Sequence, residues 1–209
     1  MNQNKIEICL IVDASPSMQH LTSETIDGLT SYLCDLKLLE KEVILSIIFF
    51  NSKSKIIINR ENIKEINIQK VVKQYNALWG YTALYDAVGS SIDRIGEALY
   101  KTEEKDRPSK VIFTITTDGI ENASKEYTKI MVKERIRHQT EKYNWEFLFT
   151  AANINAEENA DDIGIDNNRA VNYTHNSRGV KSVYTTFSTV TKSLAEQGSI
   201  EDDWKNQIK

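Results

Sequence analysis

Five oxygen-bearing side chains in three separate segments carry the chemistry this sequence offers. Asp13, Ser15 and Ser17 stand in Asp13-Ala14-Ser15-Pro16-Ser17, Thr82 in Gly80-Tyr81-Thr82-Ala83-Leu84, and Asp118 in Thr116-Thr117-Asp118-Gly119. Two carboxylates and three hydroxyls are hard donors, and these segments add neither sulfur nor imidazole. Such a set suits a hard divalent cation, Mg²⁺ first, with Mn²⁺ or Ca²⁺ as further candidates. Neutral hydroxyls cancel little of the ion's charge. If at most one carboxylate binds directly, a coordination position stays open for an acidic group from a partner.

The three segments form a site only if the fold brings them together. Residues 6–12, 43–50, 111–116 and 145–151 read as continuous apolar strands, the pattern of a parallel sheet covered on both faces. Between them lie helical stripes: Ile26, Leu29, Leu33 and Leu36; then Leu84, Val88, Ile92, Ile95 and Leu99; and, clearest of all, Val180, Val183, Tyr184, Phe187, Val190 and Leu194. Residues 125–142 read as a more polar outer helix. Residues 54–59 follow Phe50 after only Asn51-Ser52-Lys53, which predicts a hairpin and one antiparallel edge strand. A short strand at residues 169–172 completes the sheet, and residues 60–80 read as a short helix or a packed loop. The predicted fold is a doubly wound, mostly parallel α/β sheet with helices on both faces. Ligands of such sheets bind beyond the carboxyl ends of the strands, where Asp13, Ser15, Ser17, Thr82 and Asp118 all fall.

Composition bounds the rest. The 209 residues are 40% hydrophobic and 27% charged, as in an ordinary globular chain. That length points to one domain, read here as residues 1–196, with an acidic and flexible tail over 197–209 that Trp204 could dock. The balance of 26 basic against 30 acidic residues, a net charge of −4, argues against a nucleic-acid binder of the simple electrostatic kind. No apolar run approaches the roughly 18 residues of a membrane span, and the apolar run at 6–12 ends in Asp13 without a cleavage site, so the chain is read as cytoplasmic. Cys9 and Cys34 both lie in apolar-patterned segments and read as buried, reduced thiols, with Cys34 in the core.

The order Asp-x-Ser-x-Ser at 13–17, a distant Thr82 and a later Asp118-Gly119 resembles the metal-ion-dependent adhesion site (MIDAS) of von Willebrand factor A domains. The resemblance runs from about Ile6 to Leu194 in motif order and element order, and the stretch from Arg107-Pro108 to Ser124 looks most like stand-alone bacterial and phage members. It implies a Rossmann-like sheet with a central first strand and Mg²⁺ at its carboxyl end. It further implies that Ser15, Ser17 and Thr82 ligate through hydroxyls. Asp13 and Asp118 would act through water or as alternating direct ligands, and a protein partner's Asp or Glu would complete the shell. One departure stands out. The family usually has Gly between the two serines, and this chain has Pro16, which fixes φ and removes an N–H. Proline is favoured at the first position of a helix, and the sequence reading places it there.

Other readings compete. Asp13 and Thr82 are also residues that cap helices, and Asp86 reads as a first-turn acid complementing a helix dipole or as an outer acceptor near the site. Glu121 and Asn122 read either as ligand contacts or as loop hydrogen-bonders. Trp79 and Tyr81 flank Thr82 and read as packing residues ahead of partner anchors, while His20, His138 and His175 are scattered without ligand-like spacing. A phosphohydrolase of the haloacid-dehalogenase type wants a second Asp where Ser15 stands. Dinucleotide, P-loop and nucleophile-elbow motifs are absent, so no cofactor beyond the cation and no catalytic residue is assigned. The preferred reading is a non-enzymatic, Mg²⁺-dependent protein-binding module. The alternatives are a metal-dependent phosphohydrolase or phosphate-binding enzyme on the same oxygens, and a client-recruiting subunit of an ATPase-linked assembly.

Overall fold

The computed structural model describes residues 1–77, 80–201 and 203–208. Trp79, placed beside Thr82 by the sequence, lies outside them. The described chain forms a six-stranded sheet in the order β3-β2-β1-β4-β5-β6. Its strands are β1 (Asn2–Asp13), β2 (Glu42–Phe50), β3 (Ser54–Asn62), β4 (Pro108–Thr117), β5 (Glu146–Ala151) and β6 (Ala170–Asn172). The longer helices are α1 (Thr22–Lys37), α3 (Leu84–Lys101), α4 (Lys129–Tyr143) and α6 (Ser177–Gln197), with short α2 (Ile68–Val72) and α5 (Ala156–Asp162) between them. β1 pairs in parallel with both β2 and β4, and only the hairpin partner β3 runs antiparallel.

Alternation along the central strand divides the core. Ile6, Ile8, Leu10 and Val12 face one side with α1 and α6 residues such as Leu29, Leu33, Val183 and Phe187. Cys9 and Ile11 face the other with Val88, Ile92 and Ile95 of α3 and Val132 and Ile136 of α4. Glu7 interrupts the apolar run that the sequence suggested. It is fully buried, and it accepts two hydrogen bonds from Arg60, at Nε (2.6 Å) and Nη2 (3.0 Å). Arg60 reaches it from an irregular stretch of β3, where it takes a φ of 54° and donates its N–H to Ser46 Oγ. Burial raises the pKa of Glu7, and Arg60 opposes that shift.

The polar run at 125–142 is helical only from Lys129. Thr128 caps α4 by accepting the Met131 N–H, and the preceding three residues donate their backbone N–H groups to Asp86. Asp86 thus pins the loop after β4 onto the first turn of α3, a role that goes beyond complementing a dipole. Cys9 is buried, but Cys34 is exposed, contrary to its sequence reading, because the buried face of α1 passes through Leu29, Tyr32, Leu33 and Leu36. In the C-terminal segment, Ile200, Trp204 and Ile208 join the α1–α6 core, and the Trp204 indole N–H donates to the Asn168 carbonyl at 2.8 Å. No helix among the described residues is long and apolar enough to cross a membrane.

Candidate functional site

β1 carries Asp13 to the carboxyl edge of the sheet and buries it completely. The backbone there is fixed on both sides: the Ala14 N–H donates to the Phe50 carbonyl (2.7 Å) and the Tyr75 hydroxyl donates to the Asp13 carbonyl (2.7 Å). The carboxylate is held by the Ser15 N–H on Oδ1 (2.7 Å) and by the Thr117 hydroxyl on Oδ2 (2.7 Å). Burial pushes the Asp13 pKa up to about 6; the Ser15 and Thr117 hydrogen bonds oppose the shift and the charge of Asp118 adds to it.

Beyond Asp13 the chain enters a tight helical segment, Pro16–Leu21, with Pro16 at its first position as the sequence suggested. Ser15, just before it, keeps an extended backbone. That turn brings the two serine hydroxyls within 3.0 Å of each other, and both donate to Asp118 Oδ1, Ser17 at 2.8 Å and Ser15 at 3.4 Å. Asp118 follows β4, the neighbour of β1, so strand pairing itself makes this encounter across about a hundred residues.

Thr82 is buried beside this group. Its N–H donates to Asn122 Oδ1 (2.8 Å), its carbonyl accepts from the Asn122 N–H (3.0 Å), and a β-carbon on Gly119 would lie 3.6 Å from its Oγ1. Ala83, not Thr82, occupies the cap position of α3, so the simple capping role fails for Thr82. Glu121 accepts the backbone N–H groups of Tyr85, Ala123 and Ser124, which makes it and Asn122 loop-fixing residues. The structure therefore links Asp13, Ser15, Ser17 and Asp118 in one hydrogen-bonded cluster and sets the Thr82 hydroxyl alongside Gly119, at the cluster's edge.

Sequence reasoning missed four neighbours. Thr117 bridges Asp13 to Gly119, donating also to the Gly119 carbonyl (3.2 Å). Asn153 donates its side-chain amide to the Asp118 carbonyl (3.3 Å). His20 and His175, which looked scattered, meet edge to face with ring centroids 4.8 Å apart, and His175 Nε2 stands 3.0 Å from Asp118 Oδ2. That distance is within ion-pair range, but the angles are wrong for a hydrogen bond, and both atoms are buried without a hydrogen-bond partner. Burial lowers the pKa of His175, with Asp118 opposing and His20 reinforcing the shift. The one signal available was position, since both histidines follow elements that end at this edge of the sheet. Tyr81 and Ile120 are exposed, 67% and 64%, which corrects the packing role read for Tyr81.

The donor set fits a hard cation. Asp118 Oδ2 is a buried carboxylate oxygen left without a hydrogen bond, next to an Oδ1 that gathers two hydroxyls. Among the described residues no three His, Cys, Asp or Glu side chains gather as a metal site, so hydroxyls are needed to complete any shell here. Two surface cavities of about 540 and 480 Å³ lie around the starts of β4 and β5, at the opposite end of the sheet, and no site residue lines either.

This topology is that of a von Willebrand factor A-type domain. No protein-family model matches the sequence, and no curated protein matches it. Solved structures do. A von Willebrand factor type A protein from Catenulispora acidiphila superposes with a TM-score of 0.62 at 10% identity, over 90% of this chain and 43% of that one. Proximal thread matrix protein 1 from the mussel byssus, with a zinc-occupied MIDAS motif, gives 0.61 at 15% identity over 93% and 48%. The minor pilin PilB from Streptococcus sanguinis gives 0.62 at 12% over 94% and 63%. The chain spans less than two thirds of the length of each.

Proposed function

We propose that this chain is a cation-dependent protein-binding module in which Asp13, Ser15, Ser17, Thr82 and Asp118 hold a divalent ion and an Asp or Glu of a protein partner completes its shell. The observation that carries the reading is the gathering of both serine hydroxyls on Asp118 Oδ1 while Oδ2 stays buried without a hydrogen bond. A buried acceptor that makes no hydrogen bond costs about 1–3 kcal/mol, and a bound cation would remove that cost. The oxygen set by itself favours Mg²⁺. The structural neighbours, one carrying a zinc-occupied MIDAS and another a pilin, support a binding role over catalysis. Around the site, exposed Tyr81 and Ile120 offer apolar contact to whatever presents the acid.

Isothermal titration of the chelator-treated chain with MgCl₂ tests the reading. One ion per chain is expected, and Asp13→Ala should lower the affinity at least a hundredfold while its circular dichroism spectrum stays that of the wild type. Wild-type metal affinity in Asp13→Ala would overturn the assignment. Turnover of generic phosphoesters with Mg²⁺ or Mn²⁺, lost in Asp118→Ala, would favour the phosphohydrolase reading instead.

A further inference from the structure

We propose that His175 is a further ligand of this centre, contributing Nε2 beside Asp118 Oδ2 and turning an oxygen site into a mixed nitrogen–oxygen site selective for Zn²⁺ or Co²⁺ over Mg²⁺. The inference rests on the metal reading above and adds a residue and a selectivity to it.

Geometry carries the argument. Nε2 and Oδ2 stand 3.0 Å apart, both buried, and no hydrogen bond joins them. With Nε2 unprotonated, two acceptors at that range repel each other unless a cation beside them accepts from both. Two donors each about 2.0–2.1 Å from one ion and at right angles to each other are about 3 Å apart. The observed spacing fits adjacent ligands of a six-coordinate ion. Imidazole nitrogen suits Zn²⁺, Co²⁺ and Ni²⁺, whereas Mg²⁺ prefers oxygen. Both Asp13 oxygens are already engaged by Ser15 and Thr117, so Asp13 would act through water, and an imidazole beside the Asp118 carboxylate and the hydroxyls changes which ion the centre ranks first.

His175 is also held in place. It follows β6, at the same edge of the sheet as Asp13 and Asp118. On its far side the Asn176 side chain caps α6 by accepting the Gly179 N–H (2.9 Å), and the Asn176 N–H donates to the Thr174 carbonyl (2.7 Å). Gly179 packs so closely there that a β-carbon would fall on the Thr174 carbonyl oxygen. His20 packs edge to face with its ring, the centroids 4.8 Å apart. A ligand held this way loses little freedom when it binds.

The competing role is positional, with a charged imidazole steadying Asp118 and no preference among ions. Titration of the full chelator-treated chain with ZnCl₂ and with MgCl₂, alongside the visible absorption of added Co²⁺, separates the two. We expect Zn²⁺ to bind the wild type at least tenfold tighter than Mg²⁺. His175→Ala should alter the Co²⁺ spectrum and weaken Zn²⁺ at least tenfold more than it weakens Mg²⁺. His175→Gln, which keeps a hydrogen-bond donor for Asp118, should not restore Zn²⁺ binding. Equal losses for both ions, rescue by Gln, or unchanged Zn²⁺ affinity in His175→Ala would overturn the proposal while leaving the binding module standing. A wild type that takes up neither ion would overturn both.

Discussion

Asp13 owes its unusual acidity to its place at the end of a central strand. Its carboxyl pKa lies near 6 in the folded chain against an ordinary 3.8, because burial disfavours the charge. The folded chain thus keeps a proton between about pH 4 and pH 6 that the unfolded chain releases. Stability from this group is present at low pH and lost as pH rises through that window. About two pKa units correspond to about 3 kcal/mol. In metal-free buffer, urea unfolding of Asp13→Asn should therefore gain about 2–3 kcal/mol on the wild type between pH 4 and pH 7. Saturating cation should erase the gain, since an ion favours the charged carboxylate. An equal pH response in the two proteins would show that Asp13 is not strained. Pro16 belongs to the same scale. It begins a helical segment and displaces no hydrogen bond, so Pro16→Gly should change metal affinity less than threefold, read by the same titration.

These residues were legible because each closes a strand or opens a helix, and strand ends can be read from apolar runs. His175 was not legible. Its approach to Asp118 depends on the loop after β6 folding back across two strands, and no local pattern encodes that. Cys34 was misread for a simpler reason: it lies one position off the stripe set by Leu29, Leu33 and Leu36.

At the scale of elements, parallel pairing of β1 with β2 and β4 sets Asp13 next to Asp118, and the hairpin gives β3 as the antiparallel edge. Apolar runs and link lengths announce the strands and the hairpin edge, while the central place of β1 comes only from the family resemblance. The runs hide Glu7, whose tolerance in a central strand depends on a guanidinium supplied by the edge strand fifty-three residues later. Removing the partner from a buried pair costs about 3–5 kcal/mol, whereas neutralising the acid costs less. Arg60→Ala should thus lower the unfolding free energy by about 3 kcal/mol or more in urea titration, and Glu7→Gln by clearly less. The reverse order would mean that the packing of the Arg60 side chain, and not its charge, matters. The helix α4 shows a different limit. Its polar pattern runs from 125, but the first residues spend their N–H groups on Asp86, a contact that competes with the helix and has no periodicity to reveal it.

At the scale of the whole molecule, the doubly wound sheet separates the oxygen cluster from the two cavities at its other end. The face that presents the cluster also exposes Tyr81 and Ile120, from two loops that hydrogen bonds between Thr82 and Asn122 tie together. A partner docking there would meet a cation and an apolar rim at once, and the two contributions separate by mutation. Tyr81→Ser and Ile120→Ser remove exposed side chains with no cost in core packing, so cation affinity and unfolding midpoint should stay at wild-type values. Partner binding should weaken about tenfold, since each apolar anchor is worth on the order of 1–2 kcal/mol at an interface. Asp13→Ala, in contrast, should remove cation and partner binding together. The measurement is capture of the partner from native cells by wild type and by each variant, with and without chelator, followed by titration of the captured protein. Chelator should release the partner from the wild type and from both rim variants. Retention through chelation, or loss of cation binding in a rim variant, would disconnect the apolar rim from the proposed metal centre and overturn the reading of one docking face.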